Sequence, residues 1–132
     1  MKVTIEVELE ECPRDTRILI AQNTSDKEVL KFLSEDHSWA VRYEVAGNLN
    51  TPVEVLERLS EDRDENVRES IAGNPNTSEE ALSKLAKDYF DAVRHKTALN
   101  PNTPTESLER LKRDKRLYIR HEAQANLNGK AS

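Results

Sequence analysis

The chain has 132 residues, 34% of them charged and 36% hydrophobic, which suits one elongated domain and leaves too little apolar material for two independent cores. The single cysteine, Cys12, excludes an internal disulfide or a cysteine-rich metal site; with no apolar run of membrane-spanning length and no secretory leader pattern, a cytoplasmic protein is expected. The net charge of -5 divides into -3 over residues 1–15, -7 over 16–92 and +5 over 93–132, so a basic end closes an acidic protein.

The first predicted element is a β-strand arm over residues 1–12. Val3, Ile5, Val7 and Leu9 alternate with Lys2, Thr4, Glu6, Glu8 and Glu10, which puts the apolar side chains on one face of a strand. A lone strand leaves its backbone groups unpaired, and no second strand is visible downstream. The expectation is therefore a homodimer in which this strand pairs with its copy, or a partner that supplies the strand.

Residues 13–128 read as a helical repeat solenoid, with a tail at 129–132. Asn48, Asn74, Asn100 and Asn126 recur at intervals of 26, each preceded by Val41-Arg42, Val67-Arg68, Val93-Arg94 or Ile119-Arg120. Arg17 and Asn23 make an earlier copy with a linker one residue shorter. Ser25, Thr51, Thr77 and Thr103 each stand three residues before a glutamate, Glu28, Glu54, Glu80 or Glu106, the spacing of a capping box that starts a helix. Pro52 and Pro104 fit the first helical position. Leucine pairs three apart follow, from Leu30 and Leu33 to Leu108 and Leu111, and supply an inward stripe.

The segment ending at each asparagine reads as a second, shorter helix. It should stop there, because asparagine tolerates left-handed backbone geometry and because Pro75 and Pro101 bar continuation. Ala21, Ala46, Ala72 and Ala98 permit close helix approach, and Gln124 in the last copy suits a unit with one solvated face. A single unit buries too little apolar surface to offset its ordering entropy, so the units must stack.

The recurrent Val-Arg-x-x-(Val/Ile)-Ala-x-Asn-Pro-x-Thr, followed by Leu-x-x-Leu-x-x-Asp, resembles the leucine-rich repeat variant family, most fully over residues 67–88 and 93–114. The resemblance implies an all-α fold, a right-handed superhelix of paired α- and 3₁₀-helices related to HEAT repeats. The family's prototype also carries a cysteine-rich iron-sulfur module; with Cys12 alone, that property does not transfer, and no cofactor is expected.

Asp36, Asp62, Asp88 and Asp114 each stand six residues before an arginine of the repeat. A residue pair required in every unit is explained by the unit, as a ladder of ion pairs between neighbours. Tyr43, Glu69, His95 and His121 share one column but differ in chemistry, which makes them the candidate partner surface. His95, His121 and Glu69 stand too far apart along a stack to share one metal ion. Lys112, Arg113, Lys115 and Arg116 with Tyr118 are the candidate anion or nucleic-acid patch. No nucleophile-base constellation, phosphate loop or dinucleotide fingerprint appears. The sequence therefore reads as a non-enzymatic scaffold for protein–protein interaction, with a nucleic-acid-binding module at the basic end as the alternative.

Overall fold

A computed structural model describes residues 2–131, which form ten α-helices and no strand. Even-numbered helices α2 (Arg14–Asn23), α4 (Trp39–Gly47), α6 (Glu65–Gly73), α8 (Asp91–Leu99) and α10 (Leu117–Ala131) pack side by side in chain order. Odd-numbered helices α3 (Lys27–Leu33), α5 (Val53–Leu59), α7 (Glu79–Leu85) and α9 (Thr105–Leu111) rest on the even helices that flank them. The array is thus a two-layer helical repeat, and its core lies between the layers.

The leucine pairs fill that core. Leu30, Leu33, Leu56, Leu59, Leu82, Leu85, Leu108 and Leu111 are all buried, against Val41, Val67, Val93 and Ile119 from the even layer. Ala21, Ala46, Ala72 and Ala98 are fully buried where even helices meet. At Gly47 an added Cβ would lie 3.1 Å from the Ser70 hydroxyl on α6. That distance is tighter than ordinary contact, so glycine there lets α4 and α6 pack as they do.

Four local expectations need correction. Residues 2–11, expected as a strand, form helix α1 (Lys2–Glu11), with Leu9 buried in the core. A helix satisfies its backbone donors and acceptors internally, whereas a strand without a neighbour cannot. With no strand there, pairing of two copies through it loses its basis. The second correction concerns the helix starts. Thr51, Thr77 and Thr103 do not cap; their buried hydroxyls donate backward to the carbonyls of Val45, Ile71 and Thr97, at 2.6–2.7 Å. The caps lie one residue later, at Asp26, Pro52, Ser78 and Pro104, and only Asp26 and Ser78 accept helix N–H bonds. The glutamates still occupy the first turns, where the helix dipole favours negative charge.

Third, Asn48, Asn74 and Asn100 end their helices with φ between -73° and -79° and extended ψ, and no residue among those described, glycine included, has positive φ. These positions are asparagine for the side chain's bonds. Asn126 makes the same bonds yet does not end its helix; α10 continues to Ala131, with Leu127 rather than proline following it. Fourth, both layers are α-helical. The 3₁₀ character implied by the resemblance is confined to turns such as Glu35 N–H to Phe32 and Asp36 N–H to Leu33, which close the odd helices.

Candidate functional site

The most regular side-chain feature is the arginine-aspartate ladder, and it joins neighbouring units. Arg17, Arg42, Arg68 and Arg94 donate from Nε to Asp36, Asp62, Asp88 and Asp114 at 2.7–2.9 Å, and from Nη2 to the second carboxylate oxygen at 3.2–3.4 Å. Each aspartate also accepts a backbone N–H from two residues on, at Ser38, Asp64, Phe90 or Arg116. From Arg42 onward the arginine uses Nη1 to bond the carbonyl of the aspartate six residues upstream. Among the described residues, Arg120 keeps only that last bond. This is a structural joint: every carboxylate is bonded twice over, which satisfies charges otherwise costly to bury.

Asp114 shows the balance. Burial pushes its carboxyl up, but the Arg94 hydrogen bond, the Arg116 backbone N–H and the charges of Arg94 and Lys115 outweigh it, leaving the pKa below its ordinary 3.8. A depressed native pKa means that the folded state binds fewer protons, so this stabilisation is complete above 3.8 and lost as pH falls through the native value. Asp114→Asn is expected to be less stable at pH 7 and to lose less further stability than the parent below pH 3.8, read from urea midpoints across the range.

A second ladder runs through the asparagines. Asn48, Asn74, Asn100 and Asn126 each donate both amide hydrogens to carbonyls at the end of the preceding even helix, for example Asn74 Nδ2 to Ala46 at 2.8 Å and Asn48 at 3.3 Å. These carbonyls are among the last of a helix, which have no partner within it.

The candidate partner column lies where the sequence places it, one residue per even helix. Tyr43 and His121 are exposed, Glu69 and His95 half-buried. Tyr43 packs edge to face with Trp39, ring centroids 6.3 Å apart, one turn away on the same helix. Trp39 is 47% exposed, and Leu19 on α2 is 59% exposed. An open hollow of about 270 Å³ touches Tyr43, Glu69, Ser70 and Lys96. Further along, His95 stacks edge to face on Tyr118 at 5.0 Å. Among the described residues no group of three His, Cys, Asp or Glu side chains is placed to hold a metal ion.

The basic patch does not stay together. Lys112 pairs with Glu109 at 3.1 Å, one turn away on the same helical path. Arg116 pairs with Asp91 of α8 at 3.1 Å. Tyr118 turns to the same side; loss of surrounding water and its bond to Asp91 push its hydroxyl above the ordinary value of 10.0. Arg113 and Lys115 instead line an open hollow of about 760 Å³ between the ends of α7 and α9, together with Lys87, Tyr89 and Arg110. Lys87 and Tyr89 belong to the preceding unit and escape a reading that follows charge runs along the chain. Aligning the units by their period would have brought them out.

No curated protein matches the chain. The family model described as leucine rich repeat variant matches residues 39–64, which comprise α4, α5 and the turn that follows. That segment is one full period, from Trp39 to the residue before α6. Residues 39–64 thus match a leucine rich repeat variant unit, set in a helical array whose other units share its spacing and its inter-unit bonds.

Proposed function

We propose that the chain is a non-enzymatic, cytoplasmic scaffold that docks a partner protein on the exposed face of its even-numbered helices, wound as the right-handed superhelix that the family resemblance implies. The observation that supports this reading is the Trp39–Tyr43 pair, two large aromatics stacked on each other and exposed on one helix face. Aromatic side chains kept in water by a monomeric surface mark contact sites, and Trp and Tyr are the residues most enriched among binding hot spots. Leu19 on α2, the neighbouring even helix, is exposed as well. Glu69, His95 and His121 vary the chemistry from helix to helix, as a surface that selects its partner requires.

The test is capture of the tagged chain's partners from a lysate of its source cells after nuclease treatment, with Trp39→Ala/Tyr43→Ala alongside the parent. A stoichiometric protein retained by the parent and lost by about thirtyfold or more in the double variant is the expected result, given the loss of about 2 kcal/mol or more typical of a hot-spot aromatic. Retention of that protein by the double variant would place the contact elsewhere.

A further inference from the structure

The odd-numbered helices are tied to one another at their ends by a bridge that recurs with the repeat, and it fails at one place. Arg58 on α5 reaches Glu35 at the end of α3 at 3.7 Å, and Lys84 on α7 reaches Glu61 at the end of α5 at 3.2 Å. Both pairs are 23 residues apart, and the next pair in the same register is Arg110 with Lys87. Here a lysine stands where the two earlier units have a glutamate. Two cations face the gap that a salt bridge closes elsewhere, and a hollow of about 760 Å³ opens at that point.

We infer that the hollow between the ends of α7 and α9 is an anion site that takes the phosphate of a nucleotide unit, with Lys87 and Arg110 in the place of a bridge. Arg113 and Lys115 line the same hollow, and neither has an ion-pair partner among the described residues. Like charges so placed repel, and a phosphate between them relieves the repulsion while accepting the fork of an arginine and the point charge of a lysine. Glu106 and Glu109 also border the hollow, and Glu109 is engaged by Lys112. Arg94 and Asp114 at its floor neutralise each other in the ladder. The ring of Tyr89 selects a nucleotide over other phosphates: it is 88% exposed, lines the hollow, and is steadied by Phe90 at 5.3 Å, edge to face. An aromatic face beside phosphate-binding cations is the arrangement on which bases stack. This site lies away from the Trp39–Tyr43 surface and does not depend on the docking of a protein there.

The decisive variant is Lys87→Glu, which restores the acid of the two preceding units opposite Arg110 and should leave the fold at least as stable. Binding is measured at low salt by calorimetry with inorganic phosphate, adenosine monophosphate, a single-stranded oligothymidylate and a phosphoserine peptide. Lys87→Glu is expected to weaken nucleotide binding by tenfold or more while Lys27→Glu, on α3 and outside the hollow, changes it little. Tyr89→Ala should weaken the nucleotide and oligonucleotide by about tenfold, the loss of one stacked base, and leave inorganic phosphate unaffected. A strand that binds more tightly than the mononucleotide, with affinity falling steeply in salt, identifies a polynucleotide as the source; equal affinities identify the free nucleotide. Nucleotide binding that is undetectable, or that survives Lys87→Glu, overturns the site. A phosphoserine peptide that binds as tightly as the nucleotide and ignores Tyr89→Ala overturns the nucleotide assignment.

Discussion

Replacing Arg42 with alanine is expected to lower the free energy of unfolding by about 3–5 kcal/mol, the cost of leaving one partner of a buried ion pair without the other. Arg42 and Asp62 have side chains only 7% and 9% exposed, so water cannot take the place of the guanidinium. The same change also frees the Asp36 carbonyl, which Arg42 Nη1 holds at 2.7 Å. Arg58→Ala is the contrast. Its pair with Glu35 is 3.7 Å long with side chains 51% and 75% exposed, and an exposed pair of this kind contributes about 1 kcal/mol or less. Urea unfolding of the two variants should therefore separate them clearly. If Arg42→Ala lost no more than Arg58→Ala, the rung would be solvated and the ladder would not be what holds unit to unit. Domains of this size are stable by about 5–15 kcal/mol, so one rung represents a large share of the whole.

The next largest effect is expected at Asn74. Alanine there removes both donors to the ends of α4 and the following turn, and removes the acceptor for the Asn76 N–H at 2.9 Å. Asn74 is 2% exposed, so the stranded groups stay away from water. At about 1–3 kcal/mol for each buried group left unsatisfied, and with partial relaxation, the loss should be about 2–4 kcal/mol. Asn74→Asp discriminates the cause. Aspartate keeps the turn acceptor but faces two carbonyls with an oxygen, so it should do no better than alanine when unfolding is followed by calorimetry. Recovery of stability in the aspartate variant would show that the turn bond, rather than the bridge between units, is what the position supplies.

Much of this architecture is legible in the sequence because the units repeat. The asparagine, arginine, aspartate and leucine columns each do the same thing in every unit, and a position that recurs can be read as a structural requirement without any coordinates. Which residue each arginine meets was harder to see. The sequence shows Asp62 six residues before Arg68, whereas the ion pair joins Arg42 to Asp62, and Arg68 takes only that aspartate's carbonyl. Proximity along the chain suggests the wrong rung; the stacking of units decides the right one.

The failures have a common physical source as well. The alternation at residues 3–9 records which side chains are apolar, but it is silent on where the backbone hydrogen bonds go, and that requirement makes the segment a helix. The capping-box spacing at Thr51, Thr77 and Thr103 is real, yet those hydroxyls find a carbonyl six residues back before they find an N–H ahead. The placement of the candidate residues was legible in part. Tyr43 and His121 are exposed as a partner surface needs, but the charge run from Lys112 to Arg116 divides between two sides of the molecule because it spans a turn between helices.

The joints between units are made of the same parts each time, and this frees the length of the protein from its fold. Each unit presents to the next a pair of helix-end carbonyls and an arginine fork, and receives them with an asparagine amide and an aspartate. If residues 65–90 were cut out in phase, Arg94 would meet the Asp62 carbonyl where it now meets that of Asp88, and Asn100 would face Ala46 and Asn48 in place of Ala72 and Asn74. No buried group would be left without its kind of partner. A chain assembled in this way can be lengthened or shortened by whole units through duplication or loss of a segment of the gene, with selection left to act on the side chains that differ.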